Sequence, residues 1–257
     1  MRRRSEDHTA MSAVQLYARA QPGFDSRVQH ATALLARAAQ EHAGRIVQTT
    51  SLGAEDMVIT DLIARHKLGI TLATLDTGQL HAQTLALMAR LEARYRLQVR
   101  RLQPEPAAAE HFVTLHGTLA MRHSVALRKA CCQLRKLEPM QRLLAGQTAW
   151  VTGLRREQSS ARGQVPFEET EAGGRNKLNP LADWSWADVW HYIAQFEVPY
   201  NLLHDGFFLS IGCAPCTRAV AVGEDPRAGR WWWEDDIKEC GLHVRAEEEN
   251  PLSVRTA

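Results

Sequence analysis

No stretch of this chain approaches the roughly eighteen consecutive apolar residues that a bilayer-crossing helix needs, because charged or polar side chains interrupt every hydrophobic segment. No membrane partner is expected. Net charge is equally scarce. The formal balance is +2, too small to indicate a nucleic acid, whose binding calls for a clustered basic face. Internal repeats and low-complexity tracts are absent, so a repeat architecture is not expected. The basic start, Met1 to Arg4, runs into Ser5, Glu6, Asp7 and His8 where a signal peptide would place its apolar stretch, so a cytoplasmic location is expected. Cysteine is sparse, with five in 257 residues. In a reducing compartment such cysteines are rarely disulfide-bonded, and their spacing reads as metal binding or thiol chemistry.

The hydrophobic content of 45% is ordinary for a chain that buries a sizeable core. One domain over 1–257 is the expectation. Residues Ala13 to Ala43 have helix-like apolar spacing interrupted at Pro22-Gly23, which gives a helical cap over 1–44. The chain then alternates. Strands are predicted at Arg45–Thr49, Ile70–Leu75, Leu97–Leu102 and Thr148–Gly153, and helices at about Glu55–His66, Gln79–Tyr95 and Ala130–Leu144, where Pro139 should start a new turn or kink the segment. This alternation predicts an α/β fold, a mainly parallel sheet flanked by helices, with the core over 45–220. Glu157–Arg175 reads as a polar loop, helix resumes at Trp186–Phe196, and 221–257 reads as a tail.

In open parallel sheets, ligands bind at the carboxyl ends of strands, where main-chain amides and helix N-termini hold anions. Two segments occupy such positions: Thr50-Ser51-Leu52-Gly53-Ala54-Glu55-Asp56, whose hydroxyls and Gly53 suit a loop around a phosphate or ribose, and Asp76-Thr77-Gly78 after Leu75. Taken singly, each is as readily a helix cap or ordinary turn. Ser51 to Asp56 and Leu75 to Gly78 match, in order and spacing, the phosphoadenylyl- and adenylyl-sulfate reductases, within the adenine nucleotide α-hydrolase-like group with a modified phosphate loop. Leu52 departs from some members, which carry Phe or a second Ser nearby. The resemblance covers nearly the whole chain beyond the N-terminal helices. It implies substrate contacts at Ser51, Gly53, Leu75, Asp76, Thr77 and Gly78.

Four cysteines fall in two tight pairs, Cys131-Cys132 and Cys213-Ala214-Pro215-Cys216. Iron and zinc both accept thiolates in fours, and buried cysteines can also be plain small hydrophobes. Neighbouring helical residues point about 100° apart, which a four-iron cube accommodates more readily than one tetrahedral zinc. The pattern Cys-Cys-x-x-x-Lys with a distant Cys-x-x-Cys resembles that of the cluster-containing adenylyl-sulfate reductases. This resemblance implies a 4Fe–4S cofactor on Cys131, Cys132, Cys213 and Cys216, and adenylyl sulfate as substrate.

The fifth cysteine, Cys240, stands in Glu-Cys-Gly-Leu-His, beside His243. Taken alone it could be a surface thiol. The segment resembles the family's catalytic motif, which implies that Cys240 is the nucleophile, that His243 lies close to the reacting sulfur, and that the C-terminal segment is catalytic and mobile. By the same resemblance Lys136, Arg227 and Arg230 bind the phosphosulfate, with Arg162 joining them from the polar loop; otherwise these are solvated surface cations. The implied activity is thioredoxin-dependent reduction of adenylyl sulfate to sulfite and AMP through an S-sulfonated Cys240, in sulfate assimilation for cysteine biosynthesis. Members of the family commonly form homo-oligomers. Three other readings stand beside it: a reductase of the 3′-phosphorylated substrate, an iron–sulfur tRNA thiolase with the same phosphate loop, and a non-catalytic zinc protein.

Overall fold

The computed structural model describes residues 11–234, so Cys240 and His243 lie outside the described residues. Two helices, α1 (Ala13–Tyr17) and α2 (Phe24–Glu41), precede a six-stranded sheet. The strands are β1 (Ile46–Thr49), β2 (Thr71–Leu75), β3 (Val99–Leu102), β4 (Ala149–Val151), β5 (Glu168–Thr170) and β6 (Asn176–Leu178). Between and after them run α3 (Ala54–Arg65), α4 (Ala82–Tyr95), α5 (Pro106–His116), α6 (Val125–Cys132), α7 (Glu138–Leu144) and α8 (Trp186–Phe196). Among these, no helix is long and apolar enough to cross a membrane.

The strand order is β3-β2-β1-β4-β6-β5, parallel throughout except for the β5–β6 pair. Strand order reverses between β1 and β4, which leaves a crevice at their carboxyl ends. Side chains on a strand alternate between faces, and the core divides accordingly. Ile46, Leu72, Ala149 and Val151 pack toward the side of α2, α3 and α8, while Val47, Ala73, Leu102 and Trp150 face Met140, Leu143 and Leu144 of α7. The central helix α3 is buried along most of its length. Its Asp61 accepts hydrogen bonds from Tyr95 and Tyr192, each at 2.8 Å, which ties α4 and α8 to it.

Three local features differ from the sequence expectation. The polar stretch 157–175 contains β5 and leads directly into β6. Its exposed Glu168 and Thr170 lack a strand's apolar face because β5 is a sheet edge, where charge deters pairing with other chains. A further helix, α5, has Pro106 at its first position, where a missing N–H costs nothing. Pro139 stands in the first turn of α7, as expected, and between α6 and α7 the chain stays helical. It widens into a π turn over Gln133–Leu137, the backbone's adjustment to a proline that cannot donate.

Candidate active site

A cavity of about 440 Å³ opens at the β1/β4 crevice. Its walls come from the ends of β1 (Ser51, Gly53), β2 (Leu75, Thr77) and β4 (Gly153, Arg155), from Met140 and Leu143 of α7, and from the later segments 209–213 and 226–231.

The first loop turns sharply after β1. Leu52 takes a left-handed conformation, φ +61°, and is fully buried, so its side chain acts as a plug beneath the loop rather than as a donor. Ser51 directs its main-chain N–H (2.6 Å) and hydroxyl (2.7 Å) to the Asp56 carboxylate, and the Gly53 N–H donates to the Ser51 hydroxyl at 3.3 Å. The expected donors at Ser51 are therefore organised by Asp56. Burial pushes the Asp56 carboxyl up to about 6, against the pull of the Ser51 hydrogen bonds. Gly153 approaches so closely that a Cβ there would stand 2.5 Å from Asp56 Oδ1, so the β4 end requires glycine. Beside it Arg155 is buried and pairs with Glu55 at 2.9 Å and Glu157 at 3.0 Å. Burial would raise the Glu55 carboxyl, but the Arg155 charge and the Gln158 hydrogen bond hold it below the usual range. Gln158 Oε1 accepts from Arg162 Nη1 at 2.6 Å, which places Arg162 on the cavity wall.

The second strand end splits into two roles. Leu75 and Thr77 line the cavity; Asp76 and Gly78 do not. Asp76 instead accepts from the Gly78 N–H (3.2 Å) and from Gln103 (3.0 Å), holding a turn in which Gly78 has φ +69°. These two residues hold the turn that presents Thr77 to the cavity. Thr77 links two regions: its hydroxyl lies 3.2 Å from Cys213 Sγ, and its carbonyl accepts from buried Arg135 at 2.8 Å.

The two cysteine pairs converge. Cys131, Cys213 and Cys216 are buried in one cluster with Met121 and Trp231, and Cys132, half-buried, acts electrostatically on Cys216. The Ala214 N–H donates to the Gln79 carbonyl at 2.8 Å, pinning the Cys213–Cys216 turn to the end of β2. Burial pushes the Cys216 thiol up to about 12, with neighbouring Cys213 adding and Lys136 opposing; burial also raises Cys131, against Arg135. Among the described residues no three His, Cys, Asp or Glu side chains close around a single ion position.

Lys136, Arg227 and Arg230 all line the same cavity. Arg230 is buried with its guanidinium over Trp231 at 4.7 Å. Arg128 lies on the same indole at 4.6 Å and forms a buried ion pair with Glu234 at 2.7 Å. The segment that leads toward Cys240 is thereby fastened to the helix that carries Cys131 and Cys132.

Several wall residues were not among the sequence candidates: Asp56, Arg155, Gln158, Tyr17, Trp186 and His204. The first was in view within the loop motif. Thr152-Gly153-Leu154-Arg155 carried a legible signal, a glycine directly after a strand as at Gly53. The aromatic residues and His204 carried none.

Residues 45–219 match the phosphoadenosine phosphosulfate reductase domain. The chain belongs to this reductase family. Among curated relatives, an adenosine 5′-phosphosulfate reductase of Allochromatium vinosum is 54% identical over 78% of this chain and 79% of its own length. A second of that name, from Neisseria meningitidis, is 56% identical over 76% of this chain and 81% of its own. Among solved structures, the phosphoadenylyl-sulfate reductase of Candida auris superposes with a TM-score of 0.62 at 30% identity, covering 77% of this chain and 97% of that one. The FMN adenylyltransferase of Candida glabrata, at 14% identity and a TM-score of 0.55, covers 80% of this chain and 70% of its own, and shares the fold alone. The family's fold and reductase class agree with the sequence reading.

Proposed function

We propose that the chain reduces adenylyl sulfate to sulfite and AMP, with Cys240 as nucleophile. The observation that carries this reading is one cavity at the β1/β4 crevice whose wall includes Ser51, Thr77, Lys136, Arg162, Arg227 and Arg230, adjoining the converged cysteine pairs. The curated relatives named adenosine 5′-phosphosulfate reductase support the unphosphorylated substrate.

The apolar wall at Leu75, Met140 and Leu143 suits an adenine. Lys136, Arg227 and Arg230 suit the phosphosulfate, since guanidinium forks and a compact ammonium together match a tetrahedral polyanion. Neutralising the phosphosulfate lets an anionic thiolate approach. The Cys240 thiolate attacks the sulfate sulfur, the sulfur–oxygen bond to phosphate breaks, and AMP leaves with that electron pair. A thiolate of reduced thioredoxin then attacks Cys240 Sγ. Sulfite departs with the sulfur–sulfur pair, and the second thioredoxin thiol closes a disulfide, so two electrons come from the dithiol.

The four-thiol set fits an iron–sulfur cube on Cys131, Cys132, Cys213 and Cys216. Three thiols are buried together, and Arg135, Lys136 and Arg230 place positive charge beside them, as a thiolate-rich centre requires. When bound, the cluster supplies a fixed charge centre that acts on substrate through Lys136. The two cysteine segments would hold it, with Thr77 beside Cys213 at the end of the second strand.

Incubation with adenylyl sulfate and reduced thioredoxin should yield AMP and sulfite. Without thioredoxin, mass spectrometry should find one sulfonate on the Cys240 peptide, and none in Cys240→Ser. Anaerobically purified protein should hold about four iron and four sulfide per chain. Turnover only of the 3′-phosphorylated nucleotide, or a sulfonate on another cysteine, would overturn the assignment.

A further inference from the structure

His204 lines the same cavity from the 3₁₀ turn Leu202–Gly206 and is 2% exposed. Neither ring nitrogen meets a partner at good hydrogen-bond geometry, and the main chain of Phe208 lies near enough to favour the ring N–H only in part. Its orientation is nevertheless fixed: the rings of Trp186 and Trp190 meet it edge-on, with centroids 5.9 and 5.2 Å away. The next residue, Asp205, anchors the turn by accepting from the Ala13 N–H at 2.7 Å and from Tyr200 at 3.0 Å. A buried donor and acceptor left without partners are costly, and a hydrophobic side chain would fill this place at less cost. Such a group, held rigidly on a cavity wall, is arranged for a partner that arrives from outside.

The surroundings restrict that partner. Burial drives the imidazole down to about 4, with the Glu55 charge, the Phe208 main chain and the Asp205 charge only partly opposing. The ring is therefore neutral near pH 7, with one N–H donor and one lone-pair acceptor. That pair matches a hydroxyl, which both accepts and donates, better than an anion, which only accepts. The cations Lys136 and Arg230 act on the cysteine side of the cavity, whereas His204 feels the carboxylates of Glu55 and Asp205. The apolar wall at Leu75, Met140 and Leu143 belongs to the strand ends and α7. A nucleotide that fills about 440 Å³ touches every wall, and with base and phosphosulfate assigned to the other two, its sugar faces the third.

We infer that His204 is a substrate-binding residue whose imidazole holds a ribose hydroxyl of the nucleotide. The inference rests on the nucleotide reading above and extends it to the sugar.

The test uses the complete protein and four nucleotides, AMP, 2′-deoxy-AMP, 3′-deoxy-AMP and IMP, with affinities measured by calorimetry for wild type, His204→Phe and His204→Gln. His204→Phe should weaken AMP roughly tenfold, the loss of one good hydrogen bond. One deoxy nucleotide should bind wild type about as weakly and be insensitive to the substitution. The glutamine variant, which keeps a donor and an acceptor, should recover part of the loss, and it carries the test if the phenylalanine variant does not fold. Equal loss on all four nucleotides, or none on any, would overturn the inference and leave His204 a core residue. Insensitivity confined to IMP would also overturn it by moving the contact to the base. Failure of wild type to bind AMP would instead sink the nucleotide reading itself.

Discussion

Asp56 gives the sharpest quantitative expectation, because its carboxylate is buried yet serves as acceptor for the Ser51 loop. Burial raises its carboxyl from 3.8 to about 6. Between those values the folded chain still holds a proton that the unfolded chain has released. Stability therefore falls as pH rises through this window, and the full penalty is present above about 6. A displacement of roughly two pH units corresponds to about 3 kcal/mol. Asp56→Asn keeps an acceptor for the Ser51 N–H but does not titrate. Thermal midpoints of wild type and variant, followed from about pH 4 to about pH 7, should diverge in favour of asparagine by roughly 6–12 °C, using the usual slope for a domain of this size. The comparison isolates Asp56, since the remaining carboxylates are common to both chains. Parallel midpoint curves would refute the reasoning and show that Asp56 ionises without penalty.

The Arg128–Glu234 pair, with side chains 4% and 5% exposed, should resist being halved. Either Arg128→Met or Glu234→Gln alone should cost about 3–5 kcal/mol, and the double variant much less than the sum, read from a double-mutant cycle in urea. Gly153→Ala puts a methyl 2.5 Å from Asp56 Oδ1; overpacking of about 1–3 kcal/mol is expected, with a loss of AMP affinity that Gly173→Ala, where a Cβ meets nothing within 4 Å, should not show. Arg227→Ala and Arg230→Ala should each weaken adenylyl sulfate by roughly tenfold or more while affecting AMP less, because a charge-assisted contact is worth about 1.5–3 kcal/mol; equal effects on both ligands in a binding titration would return these residues to a structural role.

The first four strands were legible, each within a residue or two of its expected place, whereas the parallel β6, Asn176-Lys177-Leu178, is too short and polar a run to be read as a strand. β5 was not, since Glu168-Glu169-Thr170 has no buried face to leave an alternating pattern. The cysteine pairs were visible from spacing, but their tie to the nucleotide loop through Thr77 was not, because it joins residues 136 positions apart. His204 was illegible for a related reason. A histidine beside an aspartate in a polar turn looks solvated until Trp186 and Trp190 of α8 close over it. Arg128, three residues before Cys131, likewise read as one basic residue among many until Glu234 met it.

The site is assembled from chain segments that emerge from the ribosome far apart in time. Its first wall residue is Tyr17 and its last described one Trp231, and even α1 is anchored by a residue 192 positions later. β1 finds one neighbour in β2 soon after synthesis, but must wait for β4 to complete its other edge. Such long-range pairing makes folding slow. It also means that Cys131 and Cys132 gain the neighbours that bury them only once Cys213 and Cys216 have been translated. A metal centre shared by these pairs could only be completed near the end of synthesis, and oxidative damage to the nascent chain would fall first on the pair made earlier.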